Sequence, residues 1–146
     1  MREIREVIFR GKRLHDNKWI YGNFVSDCEG NPHIIEPRFF CEDGHHLQYE
    51  DNTDTPVFII PETVGQYTGL TDKNGKRIFE GDIVSLVKHD GLIYKVVYVP
   101  CRYELVNSKG VNCFVLDIYK SENIEVIGNI YDNPELLGGE NNGINR

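Results

Sequence analysis

Not one residue of the chain is alanine, whereas fifteen are Ile, thirteen Val, eight Tyr and seven Phe. Alanine is the best helix former, while β-branched and aromatic side chains lose rotamer freedom in helices and pack well on a pleated surface. Such a chain is poor helix material and good strand material, so a mainly β fold with very little helix is expected. Its longest apolar runs, such as Val57–Ile60 and Val96–Val99, have four residues. That is far too short for a membrane-spanning helix.

Turn residues divide the β-prone segments. Val7 to Val25 reads as a hairpin around Asp16-Asn17. With those two residues as the whole turn, Leu14 faces Trp19, Lys12 faces Tyr21 and Phe9 faces Phe24. Side chains alternate between faces along a strand. One face then holds Val7, Phe9, Ile20 and Phe24 as a core face. The other holds Ile8, Arg10, Lys12, Leu14, Trp19, Tyr21 and Val25, a mixed basic and aromatic face.

Glu29-Gly30-Asn31-Pro32 is a turn and His33–Glu36 a short strand closed by Pro37. The stretch 41–56 is polar and acidic and reads as a surface loop. Asn74-Gly75, Asp90-Gly91 and Asn107–Gly110 mark three hairpins among strands at 57–60, 83–88, 92–99, 103–106 and 111–119. Regular spacing of this kind points to a sandwich or barrel. Ile124–Tyr131 is the last strand, expected to close the barrel, and Asn133-Pro134-Glu135 opens one helical turn.

The expected organisation is an N-terminal β-hairpin unit over 1–60, carrying the acidic loop 41–56. A small SH3-like, partly open β-barrel follows over 61–137, then a flexible tail over 138–146. Ile20–Val25, Ile78–Val84 and Ile127–Tyr131 each place Gly and then Asn or Asp before an apolar residue. Either a duplicated β unit or the shared chemistry of bulges and turns accounts for that echo.

The formal net charge of the 146-residue chain is −7, which argues against a protein built to coat nucleic acid or anionic membrane. The charge is uneven. Residues 1–20 carry six Lys or Arg against three acids, and residues 26–55 carry eight acids against Arg38 alone. The N-terminus, Met1-Arg-Glu-Ile-Arg-Glu, has no apolar run and is not a secretory signal. Four cysteines (Cys28, Cys41, Cys101, Cys113) read as reduced thiols rather than a disulfide framework.

Chemistry is sparse. Cys28, His33, Cys41, His45 and His46 lie within nineteen residues but lack the Cys-x2-Cys spacing of a zinc knuckle, so no metal is expected. Cys101 and His89 have no local support as a nucleophile and base, and Cys101 and Cys113 are expected on strands as small hydrophobes. No G-x-S-x-G, P-loop or dinucleotide fingerprint is present, and Glu80 and Asp82 flank a glycine as turn residues. No catalytic residues and no cofactor are expected. The possible binding face is Arg10, Lys12, Trp19 and Tyr21. Cations beside rings suit single-stranded nucleic acid, a protein interface, or a second buried face on which cationic stems lie over the rings.

Thr63-Val-Gly-Gln-Tyr-Thr-Gly-Leu70, followed by Asp72-Lys-Asn-Gly-Lys76 and Ile78-Phe-Glu-Gly-Asp-Ile-Val84, resembles the YopX family of phage and prophage proteins. Phe9–Arg13 with Trp19–Gly22, and Glu125–Pro134, match two further landmarks in order, so the resemblance spans residues 3 to 137. It implies a small soluble protein of phages or prophages in a bacterial cytoplasm, and a homo-oligomer. It brings no activity and no catalytic or ligand residues. Glu80–Val84, a Gly turn and Leu92–Tyr98 also look like the opening of an SH3-like barrel, and such a fold does not set function. The resulting expectation is a non-enzymatic homo-oligomer that interacts with a host or phage protein, with no membrane partner. A nucleic-acid-binding small barrel using Arg10, Lys12, Trp19 and Tyr21 is the alternative.

Overall fold

A computed structural model describes residues 6–36, 39–40, 48–49, 56–88, 91–117 and 121–138. Most of the 41–56 segment, His89, Asp90, residues 118–120 and the tail from 139 lie outside the described residues. The protein is mainly β, as its composition requires, and divides into two compact units, residues 1–66 and 67–146.

The first unit contains β1 (Phe9–Lys12), β2 (Trp19–Ser26), β3 (Pro32–Ile35), β4 (Phe39–Phe40), β5 (Gln48–Tyr49) and β6 (Val57–Phe58). β6, β3, β2 and β1 are antiparallel neighbours in that order, and β4 pairs with β5 separately. Beyond β6 the chain turns back onto β1. The Leu14 N–H donates to the Phe58 carbonyl at 2.9 Å, and the Ile60 N–H to the Lys12 carbonyl at 2.9 Å. The curled sheet encloses Ile20, Ile34 and Ile59, with Phe9, Val57 and Val64 packed beside them. Each buried Ile contributes roughly 1.5–3 kcal/mol. Gly11 sits against this cluster, where a Cβ would overlap the Ile59 methyl.

The first hairpin forms where expected but in a different register. Phe9 pairs with Gly22, Arg10 with Tyr21, Gly11 with Ile20 and Lys12 with Trp19. Its turn has four residues, Leu14–Asn17, closed by the Arg13 N–H donating to the Lys18 carbonyl at 2.9 Å. Asn17 takes φ 61°, the left-handed conformation that asparagine tolerates, and Asp16 accepts the Lys18 N–H at 3.1 Å. Two extra turn residues move the register by two. An even shift preserves the faces. The expected core face is only partly interior: Ile20 is buried and Phe9 half-buried, but Val7 and Phe24 are exposed.

The second unit takes the rest of β7 (Gly65–Thr71), β8 (Arg77–Phe79), β9 (Asp82–Leu86), β10 (Leu92–Val99), β11 (Arg102–Val106), β12 (Asn112–Val115) and β13 (Ile124–Asn129). Five strands form one antiparallel sheet in the order β12-β11-β10-β9-β13. β13 joins the edge beside β9 and does not meet β12, so the sheet stays open. Ile78, Val84, Leu86, Tyr94, Val96, Leu105, Leu116 and Ile124 form its core.

One turn design recurs three times. Asp27, Asp72 and Asn107 each accept the N–H groups two and four residues ahead on one side-chain oxygen, at 2.8–3.0 Å. Gly30, Gly75 and Gly110, three residues after each, have φ of 86°, 82° and 80°. A type I turn followed by a left-handed residue gives a hairpin with a G1 bulge. The Asn74-Gly75 hairpin is thus made by Asp72 and Gly75. A two-residue type I′ turn needs positive φ at Asn74 as well, and only Asn17 and Cys101 among the described non-glycine residues have it.

The three-fold echo is not a repeated unit. Gly22 packs inside β2 against the Ile35 carbonyl, Gly81 makes the β8–β9 turn, and Gly128 lies beside a bulge in β13 against Asn133. Asn133 likewise differs from a simple helix cap: its Oδ1 accepts the Asn129 N–H at 3.2 Å, while its carbonyl accepts from Leu136.

Candidate interaction face on the first hairpin

Because β1 and β2 alternate sides, Arg10, Lys12, Trp19 and Tyr21 share one face in the observed register. Arg10 lies opposite Tyr21 on β2 and opposite Gly65 on the start of β7. The Arg10 guanidinium carbon is 4.7 Å from the Trp19 ring centroid and the Lys12 Nζ is 5.5 Å from it. Both fall within cation–π range. Arg10 is only 5% exposed, Trp19 and Lys12 are half-buried, and Tyr21 is 44% exposed.

The register continues this face along β2 to Val25 and onto β3 and β6 as His33 and Phe58. His33 is buried, its ring 4.2 Å from that of Phe58 and its Nδ1 3.0 Å from the Asn31 carbonyl. The Asp27 carboxylate lies 3.9 Å from its Nε2. The Asn31 N–H, foremost, holds the Asp27 carboxyl below its ordinary pKa, with help from the Asn31 side chain and the Glu29 N–H against the opposing effect of desolvation. At the hairpin tip the Arg13 guanidinium does the same for Asp16, its Nε donating at 2.9 Å.

The sequence places all four face residues together and leaves a buried face with cationic stems over the rings as one of three alternatives; Arg10 is indeed buried beside Trp19. Sequence reasoning missed His33 and Phe58, which only the β2–β3–β6 pairing brings to this side.

The other candidates do not assemble. Among the described residues no three His, Cys, Asp or Glu side chains come together to hold an ion. Cys41, His45 and His46 lie outside those residues. Cys101 is not a strand hydrophobe as expected: it is exposed on the β10–β11 turn with φ 74°. Asp82 is buried and accepts the Phe79 N–H at 2.7 Å, which is turn chemistry.

The diagnostic sequence blocks are architectural. Thr63 Oγ1 accepts the Lys12 N–H at 2.8 Å and donates to the Ile60 carbonyl at 2.7 Å. Thr68 donates to the Ile78 carbonyl at 2.8 Å beside a bulge between Tyr67 and Thr71. The Gly81 N–H donates to the Val96 carbonyl, and the Ile130 N–H to that of Gly81, both at 2.9 Å. Each fixes a strand register and none presents a reactive group.

Fold and face together define a small mainly β protein of two antiparallel sheet units with a cation-clamped aromatic on its first hairpin. The chain belongs to the YopX family: the family model described as YopX protein matches residues 8–138. Among solved structures, protein EF1440 from Enterococcus faecalis is similar, with a TM-score of 0.54 and 22% identity, over 90% of this chain and 98% of that one. At that identity the likeness shows the fold alone. No curated protein matches the chain.

Proposed function

We propose that this is a non-enzymatic accessory protein of phages or prophages. It acts in the bacterial cytoplasm as a homo-oligomer joined through Arg10, Lys12, Trp19 and Tyr21, and contacts a second protein from the host or the phage. The observation that supports the reading is the holding of Trp19 by two cations. Trp, Tyr and Arg dominate interface hot spots, and a ring already held in place loses little freedom on association. A base-stacking platform needs an open aromatic face and phosphate-accessible cations. Here the cations lie over the ring and Arg10 is interior, and the net charge of −7 opposes a polyanion.

Native mass spectrometry of the wild type and Trp19→Ala tests the reading. The expected result is a wild-type oligomer, with or without bound protein, that Trp19→Ala dissociates while its far-ultraviolet circular dichroism stays unchanged. A Trp19→Ala variant that unfolds assigns the face to the interior and removes the proposal. Copurified oligonucleotide whose binding falls steeply with salt and is lost in Lys12→Glu supports the nucleic-acid alternative instead.

A further inference from the structure

We propose that Asn74 is a site of spontaneous deamidation, and that conversion to isoaspartate loosens the anchor joining the β7–β8 turn to β13. Asparagine is a chemically labile side chain. Its conversion begins when the next backbone nitrogen reaches its side-chain carbonyl, which is least hindered when that next residue is glycine. Asn74 is the only asparagine among the described residues followed by glycine, and both Asn74 and Gly75 are exposed. Four of the others are also poorly placed for it. Asn31 and Asn133 precede prolines, whose nitrogens carry no proton. Asn107 and Asn129 each hold two backbone N–H groups on Oδ1.

The step balances without a cofactor. The Gly75 nitrogen attacks Asn74 Cγ, a C–N bond forms, and Nδ2 leaves as ammonia carrying the displaced amide proton. Water then opens the cyclic imide at Cγ to give aspartate, or at the main-chain carbonyl to give isoaspartate. The fold brakes this chemistry. The Gly75 N–H donates to the Asp72 carbonyl at 3.0 Å and the Asn74 N–H to Asp72 Oδ1 at 2.8 Å, so the turn must open locally before the attack.

Isoaspartate routes the main chain through the former side chain, adding one carbon to the turn and a negative charge beside Asp72. The Lys76 N–H sits 2.9 Å from Asp72 Oδ1, and the Val126 N–H 3.0 Å from Oδ2. Lengthening the turn pulls apart the groups that this one carboxylate holds.

The test incubates the full chain in mildly alkaline and mildly acidic buffer and maps its peptides by liquid chromatography and mass spectrometry. The Asn74 peptide should gain the mass of amide-to-acid conversion and split into two peaks, faster in alkali. Asn74→Gln should stay unconverted, and Asp72→Ala should convert several-fold faster. An unchanged Asn74 peptide, under conditions that convert a synthetic peptide of residues 70–78, overturns the proposal. In Asn142→Gln protein, which lacks the other Asn-Gly pair of the sequence, the isoaspartyl fraction separated by ion exchange should unfold at a lower temperature than fresh protein. An equal unfolding temperature overturns the anchor claim.

Discussion

The Asp72 carboxylate accepts the Val126 backbone N–H at 3.0 Å across 54 residues of sequence. Its other oxygen accepts the Asn74 and Lys76 N–H groups, and the neighbouring Lys73 N–H donates to the Ile124 carbonyl at 2.9 Å. One side chain thus shapes a hairpin turn and docks it on β13. Asp72→Ala leaves these donors short of an ionised acceptor in a buried place. Hydrogen bonds to charged groups and orphaned donors imply a loss of about 3 kcal/mol, read as a lower urea midpoint with unchanged slope.

The same carboxylate sets an acid limit. Burial raises its pKa, but the N–H donors of Val126, Lys76 and Asn74 outweigh burial and hold it below the ordinary value of 3.8. The folded state therefore binds its proton less readily than the unfolded chain. The stabilisation is complete above the unfolded pKa, about 3.9, and is lost as pH falls through the depressed folded one. Wild-type stability should drop more steeply than that of Asp72→Asn as pH falls below about 4, which urea titrations at successive pH values would show.

Gly11→Ala tests the close approach inside the first unit. Its new methyl meets the Ile59 side chain in a filled core, and overpacking of this kind costs about 1–3 kcal/mol. Thermal unfolding followed by circular dichroism reads the loss.

The β10–β11 turn gives a stabilising change. Pro100 has its φ set near −65° by its ring, and Cys101 follows at φ 74°, which defines a type II turn with cysteine where glycine is favoured. Cys101→Gly relieves a left-handed strain of about 1–2 kcal/mol but frees the unfolded chain by about 0.5–1 kcal/mol. A gain of several tenths of a kcal/mol and a rise of about 1–2 °C in unfolding temperature are expected.

Trp19 is the only tryptophan among eight tyrosines, so emission excited selectively at the indole reports the candidate face. Arg10→Met removes the cation 4.7 Å from its ring centroid. The emission should shift while secondary structure is retained. A double-mutant cycle with Trp19→Phe should give a coupling of about 0.5–2 kcal/mol. An unchanged spectrum would show that the guanidinium does not act on the ring.

By itself the sequence determined the class of structure and much of its punctuation. A chain with no alanine and many Ile, Val, Tyr and Phe residues has little to build helices from, and those side chains fit a pleated, half-buried surface. Turn sites were legible because Asp, Asn and Gly act within four residues, as at Asp27–Gly30 and Asn107–Gly110. The shared face of Arg10, Lys12, Trp19 and Tyr21 was legible because side-chain parity survives an even slip of register. Only the tertiary structure decided the rest. The register itself hung on a four-residue turn with Asn17 left-handed. Arg10 is buried and pairs with Gly65 of a distant strand, and β13 lies beside β9, where its Val126 N–H meets Asp72 and its Ile124 carbonyl meets the Lys73 N–H. The last two of these outcomes rest on contacts between residues dozens of positions apart, and no local preference encodes which distant partner will supply them.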